Sequence, residues 1–156
     1  MTIAHRVENF LIEHDVPYDL VAHPHAASSL ETAELAHVSG GCIAKTVVLE
    51  DDQGYLMAVL PASNRVDLGE LHRQMKRNLG LATEPELQGL FEDCELGAIP
   101  PVGMAYGIET IVDDSLAEQS EVYFEGGDHE CLVRVSGEGF ELLMEDVQHG
   151  SFSQPM

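Results

Sequence analysis

The chain has 156 residues, with seven Lys or Arg against 28 Asp or Glu, so its formal net charge is −21. That length suits one domain able to bury roughly 70% of the surface it exposes unfolded, and a hydrophobic content of 44% argues against disorder. No apolar run approaches the roughly 20 residues of a membrane span, and Met1 to Phe10 is polar and mixed in charge, unlike a signal peptide. A soluble, cytoplasmic, single-domain protein is expected. Cys42, Cys94 and Cys131 are widely spaced and form no CxxC pair, so neither a disulfide framework nor a structural zinc site is expected.

Ile3, Val7, Phe10 and Leu11 recur at helical spacing, which predicts a helix over residues 2–14, closed by Val16-Pro17. Tyr18 to Ala22 reads as a short strand. Ser28 with Glu31 forms a capping-box pattern that opens a helix through Val38, stopped by Gly40-Gly41. Ile43 to Leu49 and Tyr55 to Leu60 read as paired strands around an acidic turn ending in Gly54. Asp67 with Glu70 caps a helix running to Asn78, and Thr83, Pro85 and Glu86 start another.

Cys94 to Met104 carries two glycines and two prolines and reads as a rigid, exposed loop. Strands follow at Glu109–Val112, Glu121–Phe124 and Cys131–Val135, with a helical turn at Asp114–Gln119 and a helix at Gly139–Asp146. The domain is expected to occupy residues 1–148, with 149–156 a frayed tail. Helices and strands alternate without a βαβ rhythm, so the fold class is α+β on a mixed sheet.

Three features carry chemistry. Lys45 stands alone at the start of an apolar strand, where it either discourages edge pairing or offers an ammonium to an anionic or carbonyl oxygen. Gly97-Ala98-Ile99-Pro100-Pro101-Val102-Gly103 is stiffened by its prolines, and the N–H groups of Gly97, Ala98 and Ile99 suit an oxyanion or a sugar edge. Gly126-Gly127-Asp128-His129-Glu130 lies between two strands and makes a polar rim. Arg73, Lys76 and Arg77 fall at i, i+3 and i+4 of the predicted helix, a basic face on an acidic body. It is either a solvated helix face or a phosphate contact. His23, His25 and His37 have no metal-ligand spacing, and no GxSxG or P-loop motif is present.

In this order, Ala44-Lys45-Thr46-Val47-Val48-Leu49, Leu60-Pro61-Ala62, Val66-Asp67-Leu68, Cys94 through Gly103, Val112-Asp113 and Val122 through Glu130 resemble the YbaK/prolyl-tRNA-synthetase-associated editing domain family in its stand-alone form. The resemblance spans roughly residues 3–146. It implies an α+β fold with a mixed, strongly curved, barrel-like sheet flanked by helices. It also implies metal-independent, cofactor-free hydrolysis of a mischarged aminoacyl-tRNA carrying Ala, Cys or Ser. Lys45, Gly97 and His129 then map to catalytic positions. Ala98, Ile99, Pro100 and Pro101, with Gly127 and Asp128, map to substrate contacts, and Arg73, Lys76 and Arg77 are the expected tRNA face.

A second sieve of this kind suits substrates that binding separates by only about 1–3 kcal/mol. The expected partners are the 3′ aminoacyl end of tRNA and an aminoacyl-tRNA synthetase. Neither DNA nor a membrane is expected, and the chain should be a monomer or a weak homodimer. The competing readings are a non-catalytic module that binds tRNA ends or a synthetase, and a hydrolase of small free esters.

Overall fold

The computed structural model describes residues 3–26, 28–95 and 97–156, and for Ser29 the backbone alone. Thr2 of the predicted first helix and Leu96 of the predicted loop lie outside the described residues. The first helix, α1 (His5–Glu13), buries Val7, Phe10 and Leu11, the stripe its spacing predicts. It starts at His5, and Ala4 just before it donates its N–H to the Gly126 carbonyl at 2.8 Å. β1 (Asp19–Ala22) and α2 (Ser29–Ala36) follow, the latter with Ser28 Oγ accepting the Glu31 N–H. The apolar alternation at residues 43–60 becomes the hairpin of β2 (Ile43–Asp51) and β3 (Gly54–Pro61).

β4 (Asn64–Val66) leads to α3 (Leu68–Met75), capped by Asp67, and then to β5 (Gly80–Leu81). α4 (Glu84–Leu90) opens with the complete Thr83–Glu86 capping box. The rest of the chain is β6 (Glu109–Asp113), β7 (Glu121–Glu125), β8 (Cys131–Ser136), α5 (Gly137–Leu143), β9 (Gln148–Gly150) and β10 (Ser153–Pro155).

The main sheet runs β1-β8-β7-β2-β3-β6-β9, with β5 on β2 and β10 paired to β4 in a separate ribbon. It is mixed: β2 meets β7, β3 meets β6 and β6 meets β9 in parallel, while the other pairs are antiparallel. β1 and β9 end the sheet, so it is open rather than a closed barrel. One face packs Ala44, Val48, Met57, Val59, Phe124 and Val133 against α1 and α5. The opposite face is divided. Leu49, Leu56, Leu60 and Ile111 pack on Leu71 of α3, whereas Ile43 and Leu132 pack on Ala33 of α2. The α+β class and mixed sheet are as expected. Among the described residues no helix is long and apolar enough to cross a membrane.

Three expectations are corrected. Residues 149–156 are not frayed, because β9 pairs with β6, β10 pairs with β4, and Phe152 is 1% exposed. α3 ends at Met75 because Lys76 takes a left-handed conformation at φ 55°, so Arg73, Lys76 and Arg77 do not share a helix face. The segment 98–103 is buried rather than exposed, since Ile99 and Val102 join the larger core.

Candidate active site

Lys45 belongs to the divided face of the sheet, on the same side as Ile43 and Leu49 and thus between the small cores under α2 and α3. It is half-buried there, and the burial lowers its pKa from the ordinary lysine value. Its Nζ donates to the Ala62 carbonyl at 3.4 Å, and among the described residues it makes no ion pair. In a chain of charge −21, an ammonium without a carboxylate is a group available to an incoming oxygen.

The parallel pairing of β2 with β7 matches Ile43 to Tyr123 and Ala44 to Phe124. Extending the register by one residue sets Lys45 level with Glu125, on the same face. Glu125 ends β7 with its side chain 3% exposed. Burial pushes its carboxyl up to about 7, helped by Asp128 and opposed by Thr32 and His25. His23 Nε2 lies 3.9 Å from one Glu125 oxygen and His129 Nδ1 lies 3.8 Å from the other.

The turn from β7 to β8 holds His129 in place. Gly127 has φ 122°, a conformation that favours glycine, and its open side lies against Ala4 and Cys94. Asp128 Oδ1 accepts the Glu130 N–H at 2.9 Å, and His129 itself takes φ 59°. Strain of this kind in a non-glycine residue persists only where the surroundings enforce it. Here residues 23–26 enforce it from one side, with His23 N–H on the Glu130 carbonyl and Ala26 N–H on the His129 carbonyl. The His25 ring meets the His129 ring edge-on, with centroids 5.7 Å apart. Its Nε2 is 2.9 Å from Glu95, whose hydrogen bond raises the His25 pKa.

Glu95 also brings in the glycine-proline loop, because its N–H donates to the Gly127 carbonyl at 2.7 Å. Gly97 is exposed, with φ 82°. Ala98 is fully buried and its N–H donates to the Glu95 carbonyl, so that amide is already engaged and is not a donor for a ligand. Pro100 and Pro101 are buried as well, which makes them a foundation for Gly97 rather than a contact surface. The structure therefore gathers Gly97, Gly127, Asp128 and His129 near Glu95, with Lys45 across the β2–β7 register. Sequence reasoning missed Glu125 and His23. The available signal was an acid directly after a strand pattern, followed by Gly-Gly.

The basic triplet lies elsewhere. Arg77 binds Asp51 at the far end of β2, six residues beyond Lys45 and so roughly 20 Å away along the strand. Its side chain is 8% exposed and is used inside the molecule. Arg73 is exposed and pairs with Glu70, and Lys76 is exposed.

Cys94 and Cys131 are poor nucleophiles, since burial pushes Cys94 up to about 12 and Cys131 up to about 11. Among the described residues no three His, Cys, Asp or Glu side chains are grouped to hold a metal ion. One of the larger surface hollows, about 400 Å³, is lined by Tyr18, Asp19, Glu121 and Arg134, none of them in this cluster.

The same architecture recurs in solved structures. A candidate trans-editing enzyme for prolyl-tRNA synthetase is 25% identical with a TM-score of 0.82, over 97% of this chain and 96% of its own. The hypothetical protein APE2540 is 24% identical with a TM-score of 0.84, over 96% of this chain and all of its own. A candidate signal transduction protein from Marinobacter aquaeolei VT8 is 23% identical with a TM-score of 0.76, over 95% of this chain but 30% of its own. The last two share the fold alone. No curated protein matches the chain in sequence. Residues 23–142 match the aminoacyl-tRNA editing domain. The chain belongs to that family, and the matched span takes in Lys45, the glycine-proline loop and His129.

Proposed function

We propose that this chain is a stand-alone hydrolase that removes a small amino acid, Ala, Cys or Ser, from mischarged tRNA. Membership of the editing family supplies the reaction class. The observation that carries the reading to these residues is Lys45, half-buried without a carboxylate partner among the described residues and level with the Glu125–His129 turn.

Water attacks the ester carbonyl carbon, the bond to the ribose oxygen breaks, and the products are the free amino acid and a tRNA with its terminal hydroxyl restored. The ester is already activated, so orientation and charge stabilisation suffice. The Lys45 ammonium faces the carbonyl oxygen or the 3′ end, the backbone at Gly97 holds the aminoacyl group, and His129 accepts a hydrogen bond from water or from a ribose hydroxyl. The neighbouring ribose hydroxyl relays the proton. Neither a metal nor a thiol has a part in this scheme. The raised pKa values of Cys94 and Cys131 support the latter point. A cytoplasmic location follows from the substrate.

A charge of −21 with Arg73, Arg77 and Arg134 ion-paired favours help from a synthetase in holding the tRNA. The same observation favours the alternative reading, a binding module without turnover. Deacylation of Ala-, Cys- and Ser-charged tRNAs by wild type and Lys45→Ala decides between them. Hydrolysis lost in Lys45→Ala supports the enzyme. Binding without hydrolysis of any of them supports the module.

A further inference from the structure

Glu125 is set in a place where an ionised carboxylate is unfavourable. Its side chain is 3% exposed, and neither oxygen makes a hydrogen bond of normal geometry among the described residues. Six groups stand near it. His23 and His25 come from the segment after β1, Thr32 from α2, Asp128 and His129 from the turn into β8, and Cys131 from the start of β8.

The hydrogen-bond inventory of His23 limits where protons reside. Its Nδ1 is 2.8 Å from the Pro24 carbonyl, and a carbonyl only accepts, so Nδ1 carries a hydrogen. In the neutral ring, Nε2 is then an acceptor pointed at Glu125 Oε2, and two buried acceptors face one another across 3.9 Å. One proton placed between them relieves this. On the other side, His129 Nδ1 lies 3.8 Å from Glu125 Oε1. Both separations are a short step beyond hydrogen-bond range, as is common in unliganded sites that tighten around a substrate.

We propose that Glu125 is a positioning residue for His129: it shares one proton with His23 through Oε2 and accepts the Nδ1–H of His129 through Oε1, which fixes Nε2 as the acceptor of that ring. When Nε2 takes up the attacking water's proton, passed on by the ribose hydroxyl, the shared proton shifts from Glu125 to His23 Nε2, and it shifts back as His129 gives its proton to the leaving ribose oxygen. The carboxylate so formed then stabilises the imidazolium of His129. No proton enters or leaves the Glu125–His23 pair. The consequence for turnover rests on the editing reading given above, whereas the pairing itself does not. The upward push on the Glu125 carboxyl, to about 7, agrees with a proton held there near neutral pH.

Two variants and two readouts test this. Glu125→Gln keeps the shape and one acceptor oxygen but cannot titrate, and Glu125→Leu removes both functions. Imidazole nitrogen NMR from pH 5 to 9 reports the tautomers, and the pH profile of kcat for deacylation reports the ionisation.

In wild type, His129 should be the Nδ1–H tautomer and kcat should show a limb that falls as pH rises through about 7, where the shared proton is lost. Glu125→Gln should keep the tautomer and lose that limb. Glu125→Leu should mix the tautomers and lower kcat about 10- to 100-fold, with KM little changed. A His129 tautomer indifferent to Glu125→Leu, or a limb that survives in Glu125→Gln, overturns the proposal. Should Glu125→Leu fail to fold, the Gln variant and the wild-type NMR titration still decide. If wild type hydrolyses no mischarged tRNA but the His129 tautomer responds to Glu125, the editing reading falls and the pairing stands.

Discussion

Arg77 and Asp51 close on each other through two parallel hydrogen bonds, Nε to Oδ2 and Nη2 to Oδ1, both 2.8 Å, with side chains 8% and 5% exposed. The guanidinium also reaches the Gly54 carbonyl at 3.3 Å, so it ties the segment after α3 to the β2–β3 turn. It holds the Asp51 carboxyl down to about 2. A depressed carboxyl contributes stability above its unfolded pKa of about 4 and loses it as pH falls towards 2. Arg77→Ala should therefore lower the melting temperature at pH 7 by roughly 5–10 °C, with a smaller difference at pH 2.5. Thermal melts at the two pH values check this.

Because Arg77 is engaged internally, the proposal of a tRNA face in this region rests on Arg73 and Lys76. Charge reversal of both should weaken tRNA binding and flatten the log–log salt dependence by about one unit per lost phosphate contact. An unchanged slope in filter binding across a salt series would move the tRNA to another face.

Glu125 has a stability signature independent of turnover. Its folded pKa is raised, so its contribution is complete below the unfolded value near 4.5 and is lost as pH rises through about 7. Glu125→Gln should match wild type in stability near pH 5 and exceed it near pH 8, by on the order of 2–3 kcal/mol. Urea denaturation at both pH values is the measurement.

Lys45 holds little of the fold, since its one hydrogen bond is 3.4 Å long. Lys45→Ala should lower kcat about 10²- to 10³-fold, the usual cost of one charge-stabilising donor, with a small change in melting temperature. Lys45→Arg should not restore the rate, because a planar fork does not replace a compact ammonium.

Phe152 is 1% exposed and packs with Leu71 and Ile111, and its N–H donates to Asp113 Oδ2 at 3.2 Å. Phe152→Ala should cost about 3–5 kcal/mol. Chemical denaturation would show it directly, and a loss below 1 kcal/mol would mean that the terminal ribbon is dispensable.

What was legible in the sequence was local. The β2–β3 hairpin, the Asp67 and Thr83 caps and the α1 stripe follow from spacing and turn chemistry within a few residues, and each formed. The end of α3 was misplaced because nothing before Lys76 breaks a helix; the long-range pull of Asp51 on Arg77 turns the chain there. β9 and β10 were missed because Gln148–Gly150 and Ser153–Pro155 have no alternation and become strands only against β6 and β4. The Pro100-Pro101 loop was expected outside, since composition does not show that Ile99 and Val102 fill the core. In the site, the isolation of Lys45 and the Gly-Gly turn stood out in the sequence. The facing of Glu125 by His23 and His129 depends on a register that only the folded sheet defines.

That register is also slender. β2 touches β7 through two residue pairs, Ile43 with Tyr123 and Ala44 with Phe124, whereas β2 and β3 share eight. The antiparallel trio β1, β8 and β7 is thus hinged to the rest of the sheet along a narrow seam formed between segments about 80 residues apart, contacts that fold late and open first. Lys45 and Glu125 stand on opposite banks of this seam. Amide hydrogens there should exchange ahead of those in the hairpin, and a substrate bridging the two banks would act as a clasp, slowing exchange across the whole trio.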